Sequence, residues 1–194
     1  MSCLRQISGE GGVNQTTLVV GGCRSGKSRY ALELAERGFG ARKVFMATCV
    51  PADGEMRCRV ERHQAERGPS WTTVESPVRI AEDLLYYSNR ADGIIVDCLT
   101  LWVSNLMMED PDLDAVACRV RMLTDALRQT RCPVVLVSNE VGAGIVPENA
   151  LARRFRDAAG FVNQQVARCA DTVVWMVAGI PVTVKQPSGA GANP

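Results

Sequence analysis

The most constraining feature of the sequence is a glycine-rich segment that follows an apolar run near the N-terminus. Residues 18–28 read Leu-Val-Val-Gly-Gly-Cys-Arg-Ser-Gly-Lys-Ser, with the glycine, lysine and serine spacing of the phosphate-binding loop of P-loop proteins. Such glycines let successive backbone N–H groups point at phosphate oxygens, the lysine reaches the β- and γ-phosphates, and the serine hydroxyl binds Mg²⁺. The segment therefore predicts a nucleotide site contacted by Gly21, Gly22, Cys23, Arg24, Ser25, Gly26, Lys27 and Ser28.

The composition fits one compact domain and excludes several classes of partner. The 194 residues are enough for one well-buried core, which we expect over 17–186. A net charge of +1 argues against a protein that holds nucleic acid by electrostatics. The apolar runs are too short to span a membrane, and the N-terminus lacks the apolar block of a secretory signal. The glycine-containing leader 1–16 and the small-residue tail 187–194 are predicted to be flexible.

The eight cysteines indicate a reducing compartment. They are scattered along the chain without a C-x-x-C pair, and the sequence has one histidine, so neither a zinc site nor a disulfide framework is indicated. Reduced thiols in a cytoplasmic protein are the simpler interpretation.

The order of apolar and amphipathic segments predicts the fold. Strand-length apolar runs alternate with helical patterns over 28–37, 54–67, 78–90, 113–130 and 149–169; the runs are Thr17–Val20, Val44–Thr48, Ile94–Asp97, Val134–Ser138 and Thr172–Val177. This order is typical of an α/β protein of the P-loop NTPase type, a mostly parallel sheet with helices on both faces. Pro181 stands between Val173–Val177 and Val182–Lys185, which predicts a C-terminal β-hairpin.

The segments that follow the strands are the candidates for function, because ligands bind beyond the carboxyl ends of such a sheet. We expect four of them to face one crevice: the Gly21–Ser28 loop, Ala47-Thr48-Cys49, Asp97-Cys98 and Asn139-Glu140-Val141-Gly142. A carboxylate in the position of Asp97 typically holds Mg²⁺ in P-loop proteins, and we favour that role over a cap on the following helix. The next residue is Cys98, where motor ATPases often have Glu, and no Asn-Lys-x-Asp signature of regulatory GTPases is present.

For three further candidates, the residues alone allow two interpretations each. His63 lies in a helical pattern beside Arg59, Arg62 and Arg67; its imidazole can attack phosphorus, although a solvated helix with an incidental histidine is the simpler interpretation. Glu75 either contacts a ribose or ends the short β-like run Trp71–Val74. The glycine-rich segment after Glu140 either closes over a substrate or is an ordinary connection.

Taken together, these segments resemble the bifunctional adenosylcobinamide kinase/adenosylcobinamide-phosphate guanylyltransferase family of cobalamin biosynthesis. The resemblance runs from about Leu18 to Lys185 and rests on four groups of residues, the last being the most specific: Gly21–Arg29; Arg59–His63 with Trp71; Asp97–Thr100 with Asn105 and Leu106; and Asn139–Asn149 with Arg153, Phe155, Arg156 and Asp157.

The resemblance implies two reactions at one nucleotide site. The kinase reaction transfers the γ-phosphoryl group of ATP or GTP to adenosylcobinamide; the second transfers GMP from GTP through a guanylylated histidine to adenosylcobinamide phosphate. The reactive histidine of the family matches His63, so the resemblance favours a catalytic role over an incidental histidine on a solvated helix. Lys27 is the other catalytic residue that the resemblance implies. Mg²⁺ is implied at Ser28 and Asp97. Nucleotide contacts beyond the loop are implied at Ala47, Thr48, Cys49, Gln64, Ala65, Glu66, Arg67, Glu75 and Asp97.

The resemblance also implies a cytoplasmic homotrimer. The family often has a second histidine beside the reactive one, or Lys or Arg just after it, whereas this chain has Arg62 and Gln64. Two other functions are weighed against this one. They are a P-loop kinase for another small metabolite, with His63 incidental, and a nucleotide-sensing module without chemistry.

Overall fold

The protein is described from a computed structural model that covers residues 15–50 and 67–187. Seven strands form one sheet in the order β3-β2-β4-β5-β1-β6-β7. The strands are β1 (Thr16–Gly21), β2 (Lys43–Ala47), β3 (Trp71–Glu75), β4 (Gly93–Asp97), β5 (Val134–Asn139), β6 (Thr172–Val177) and β7 (Ile180–Lys185). All neighbours are parallel except β6 and β7, which form an antiparallel hairpin. The predicted sheet and its C-terminal hairpin are therefore confirmed.

Helices cover both faces of the sheet. They are α1 (Lys27–Gly38), α2 (Ile80–Tyr87), α3 (Leu99–Glu109), α4 (Leu113–Gln129) and α5 (Ala150–Cys169). Apolar side chains alternate along each strand, so that Leu18 packs with α2 to α5 on one face and Val19 packs with α1 on the other. None of these helices is long and apolar enough to cross a membrane.

Two elements differ from the prediction, and one predicted helix lies almost entirely outside the described residues. Strand β3 joins the edge of the sheet, although its sequence reads only as a short β-like run. Helix α3 was not predicted: six of its eleven residues are buried, so it has little of the polar face that marks an amphipathic helix. The predicted helix 54–67 lies outside the described residues except for Arg67, as do the leader up to residue 14 and the tail from residue 188.

The strand register brings the candidate segments to one edge. Gly21 at the end of β1 pairs with Asn139 of β5 and with Met176 of β6. Asp97 at the end of β4 pairs with Ala47 of β2. The carboxyl ends of five strands thus meet around the loop that follows β1, as ligand binding in a parallel sheet requires.

Candidate nucleotide site

The loop between β1 and α1 has a backbone that depends on two of its glycines. At Gly21 an added Cβ would lie 2.6 Å from the Met176 carbonyl oxygen, so a side chain has no room there. Gly26 has a φ of 91°, in the left-handed region that glycine adopts without strain, and it immediately precedes the first residue of α1. The sharp turn at Gly26 therefore starts the helix with its first N–H groups directed toward the loop.

Lys27 lies inside this loop rather than on the surface. Its side chain is buried, and the amino group donates to the Gly22 carbonyl oxygen at 2.6 Å and lies 3.5 Å from Ser25 Oγ. Burial lowers the pKa of Lys27 from its usual range, while Cys98, Cys23 and Asp97 act in the opposite direction. An ammonium group held inside a glycine-rich loop is suited to bind a phosphate oxygen.

Two oxygen ligands suited to Mg²⁺ stand together beside the loop. Ser28 Oγ donates to Asp97 Oδ2 at 3.5 Å, although the two residues are 69 positions apart in the chain. Hydroxyl and carboxylate oxygens are the donors that Mg²⁺ prefers, so the residues present fit a divalent ion here. The N-cap position of α3 is Cys98, one residue after Asp97, and the Cys98 side chain makes no capping hydrogen bond.

A cleft of 580 Å³ opens in front of these groups. Ten of the predicted site residues line it: Cys23, Arg24, Ser25, Gly26, Lys27, Ser28, Ala47, Cys49, Arg67 and Asp97. Gly21 and Gly22 form the base of the loop without lining the cleft, and neither Thr48 nor Glu75 lines it. His63, Gln64, Ala65 and Glu66 lie outside the described residues. The structure thus brings together most of the residues predicted on the described part of the chain.

Thr48 is enclosed by the protein. Its hydroxyl accepts from the Cys98 N–H at 2.7 Å and donates to the Cys98 carbonyl oxygen at 2.8 Å. Its own N–H donates to the Asp97 carbonyl oxygen, and its carbonyl oxygen accepts from Asn105. Thr48 therefore fixes the segment that carries Asp97. Glu75, in contrast, is exposed at the end of the edge strand β3.

Arg67 forms one wall of the cleft. Its guanidinium carbon lies 3.7 Å from the centre of the Phe45 ring, and Nη2 donates to Thr73 Oγ1 at 3.2 Å. Stacking on an aromatic ring and bonding to a neighbouring strand hold this cation against β2 and β3. A fixed positive charge at this wall suits an anionic ligand in the cleft.

Several lining residues were not among the predicted site residues. Phe45, Thr73, Leu101 and Val137 line the cleft from positions within strands or a helix, where side-chain alternation alone predicts core. Asn139 was among the segments expected to face the crevice, and it does line the cleft. Its contacts with α3 join residues 39 positions apart and have no signature in the local sequence.

The segment after β5 is held at both of its ends. Glu140 Oε1 accepts from the Gly142 N–H at 2.6 Å, and Arg153 donates to the carbonyl oxygens of Pro147 and Glu148. Between these two sets of hydrogen bonds, Ile145 is 97% exposed. The two interpretations of this segment, a cover for a substrate or a plain connection, are both compatible with that arrangement.

The parallel sheet, the loop with Lys27 and the Ser28–Asp97 pair define a protein of the P-loop nucleotide-binding class. Within that class, the family described as cobinamide kinase / cobinamide phosphate guanyltransferase matches residues 17–184, and the chain belongs to this family.

Curated relatives match over nearly their whole length. The chain is 42% identical over 182 residues to the bifunctional adenosylcobalamin biosynthesis protein CobU of Salmonella typhimurium, and 40% identical over 180 residues to the CobU protein of Escherichia coli. It is 39% identical over 170 residues to the bifunctional adenosylcobalamin biosynthesis protein CobP of Pseudomonas aeruginosa. Each match covers 87% of this chain and 96% to 98% of the relative.

Proposed function

We propose that the chain phosphorylates adenosylcobinamide with ATP or GTP and then converts the product to adenosyl-GDP-cobinamide. Family membership over residues 17–184 supports this substrate. The observation that carries the proposal is the cleft, where buried Lys27 and the Ser28–Asp97 pair lie together beside the loop that would bind phosphate. These groups serve transfer of a phosphoryl or nucleotidyl group.

In the kinase reaction, the loop positions the terminal phosphate and stabilises its charge. Backbone N–H groups of the loop and the Lys27 ammonium bind the β- and γ-phosphate oxygens, where negative charge spreads during transfer. Asp97 and Ser28 would hold Mg²⁺, which supplies further charge neutralisation when bound. Arg67 stands at the cleft wall as a fixed cation. Positioning, more than any strong acid or base, supplies the catalysis.

In the guanylyl transfer, His63 is the nucleophile. A neutral imidazole nitrogen bonds to the α-phosphorus of GTP, the bond to the bridging oxygen breaks, and pyrophosphate leaves. A phosphate oxygen of adenosylcobinamide phosphate then attacks the same phosphorus and releases the imidazole. As the family pattern implies, the residues around the nucleotide are Gln64, Ala65, Glu66, Arg67, Glu75, Ala47 and Cys49. Thr48, which the same pattern includes, acts from behind the cleft by holding the segment of Asp97. We further propose a cytoplasmic homotrimer.

The test measures the two products separately. Purified protein with Mg²⁺, ATP and adenosylcobinamide is expected to form adenosylcobinamide phosphate, and addition of GTP is expected to form adenosyl-GDP-cobinamide with release of one pyrophosphate per product. Phosphorylation of a different alcohol, with no turnover of the cobinamide substrate, would select the general metabolite kinase instead. Nucleotide binding without any product would select the sensing module.

A further inference from the structure

Asn139, the last residue of strand β5, is held in place by hydrogen bonds from its backbone and from the backbone of the next residue. The Asn139 N–H lies 3.3 Å from Thr100 Oγ1, and its carbonyl oxygen accepts from Asn163 Nδ2 at 3.1 Å. Asn163 Oδ1 accepts a hydrogen bond from Ser138 Oγ at 2.6 Å, so Asn163 of helix α5 binds two consecutive residues at the end of β5. The next residue, Glu140, donates its N–H to the Gly21 carbonyl oxygen at 2.9 Å and thereby joins β5 to the phosphate-binding loop.

The side-chain amide of Asn139 is also oriented. Its NH₂ group donates to Thr100 Oγ1 at 2.8 Å and lies 3.4 Å from Cys98 Sγ, while Thr100 Oγ1 and Cys98 Sγ are 2.7 Å apart. With the NH₂ group bonded toward α3, the amide oxygen Oδ1 is the remaining polar atom of a side chain whose residue lines the cleft. Within residues 15–50 and 67–187, none donates a hydrogen bond to this oxygen.

The chemistry of Oδ1 limits what it can bind. An amide oxygen accepts hydrogen bonds and donates none, so beside a polyphosphate it does not favour a phosphate oxygen. It fits a ligand group that brings its own proton. In the proposed function, the acceptor of the kinase reaction attacks with an alcohol O–H, whereas the attackers in guanylyl transfer, an imidazole lone pair and a phosphate oxygen, need no such partner.

We infer that Asn139 is the positioning residue for the acceptor alcohol in the kinase reaction, with Oδ1 accepting the hydrogen bond of the attacking hydroxyl group. This inference rests on the proposed function. The hydroxyl oxygen forms a bond to the γ-phosphorus, the bond from that phosphorus to the β–γ bridging oxygen breaks, and ADP leaves with the electron pair. The proton passes to a non-bridging oxygen of the transferred group, because an amide oxygen is too weakly basic to hold it.

The test compares the two reactions in one variant. Asn139→Ala is expected to lower kcat for adenosylcobinamide phosphorylation by roughly 10- to 100-fold, as loss of reactant orientation does, with KM for ATP unchanged. The rate at which the protein becomes guanylylated by GTP is expected to stay within about twofold of wild type, because no alcohol takes part. Asn89→Ala is the matched control: this exposed asparagine donates only to Leu85 in its own helical turn.

A second variant keeps Asn139 and removes what orients it. Thr100→Val is expected to lower phosphorylation by roughly 3- to 10-fold, again without loss of guanylylation, since the amide can then rotate. Equal loss of both reactions, a raised KM for ATP, or full kinase activity in Asn139→Ala would overturn the inference. Failure of the proposed function looks different, because wild-type protein would then form neither product from cobinamide substrates.

Discussion

At the scale of single residues, the site contains two kinds of side chain. Some face the cleft, and others hold the cleft residues in position. Lys27, Ser28 and Asp97 line the cleft, whereas Thr48 is fully buried and bonds to both backbone groups of Cys98. Sequence position alone cannot make this distinction, because Asp97 ends one strand and Thr48 directly follows another at the same edge of the sheet. The Thr48 side chain therefore supports the segment that carries Asp97.

Thr48→Val tests whether the Thr48 hydroxyl supports the fold rather than binding the nucleotide. The substitution leaves the buried N–H and carbonyl oxygen of Cys98 without their partner, so the free energy of unfolding should fall by about 1–3 kcal/mol. Urea denaturation measures this change, and isothermal titration of the folded protein should show an unchanged Kd for ATP. Thr72→Val, at an exposed position of β3, is the control that should leave stability nearly unaltered. A weakened Kd with normal stability would mean that the hydroxyl binds the nucleotide.

At the scale of elements, one ion pair joins the helix after the phosphate-binding loop to the sheet. Lys43 of β2 is buried and pairs with Glu36 of α1, which also accepts from Trp71 Nε1 of β3 at 3.0 Å. The Lys43 hydrogen bond, helped by Trp71, lowers the pKa of Glu36 below its ordinary value of 4.5. A depressed carboxylate pKa means that this stabilisation is complete above pH 4.5 and is lost as the pH falls through the lowered pKa.

Glu36→Gln is expected to remove this pH-dependent contribution. Because Glu36 is half-exposed and water screens the pair, the loss at neutral pH should be about 0.5–1 kcal/mol. The difference in unfolding free energy between wild type and variant should shrink below pH 4.5, which chemical denaturation across a pH series measures. Glu33→Gln removes an exposed partner of Arg29 and Arg37 instead and should change little. A pH-independent difference for Glu36→Gln would contradict the assignment.

Most of the secondary-structure elements could be predicted from the sequence, but their contacts could not. The period-two apolar runs and the glycine spacing predict the sheet, the hairpin and the loop, because each depends on local pattern. Helix α3 escapes prediction because residues such as Trp102 and Leu106 bury it on most of its surface. The pairing of Ser28 with Asp97, and of Asn139 with Thr100, depends on strand order and register, which no local pattern encodes.

At the scale of the whole molecule, ligand binding to the cleft should stabilise the fold. A ligand that binds only the native state adds about 2.7 kcal/mol at one hundred times its Kd. For a domain of this size, that corresponds to a rise in Tm of roughly 5–10 °C. Differential scanning fluorimetry with Mg²⁺ and ATP measures the rise, and Lys27→Met should abolish it. A full rise in this variant would mean that the nucleotide binds outside the loop.

In the proposed function, one site performs both transfers and His63 carries GMP from GTP to the cobinamide phosphate. Incubation with GTP labelled at the α-phosphate is expected to leave an acid-labile, alkali-stable label on the wild-type protein, as a phosphorus–nitrogen bond requires. His63→Ala should take no label yet still phosphorylate adenosylcobinamide with ATP. Label that persists on His63→Ala would show that another residue carries the GMP.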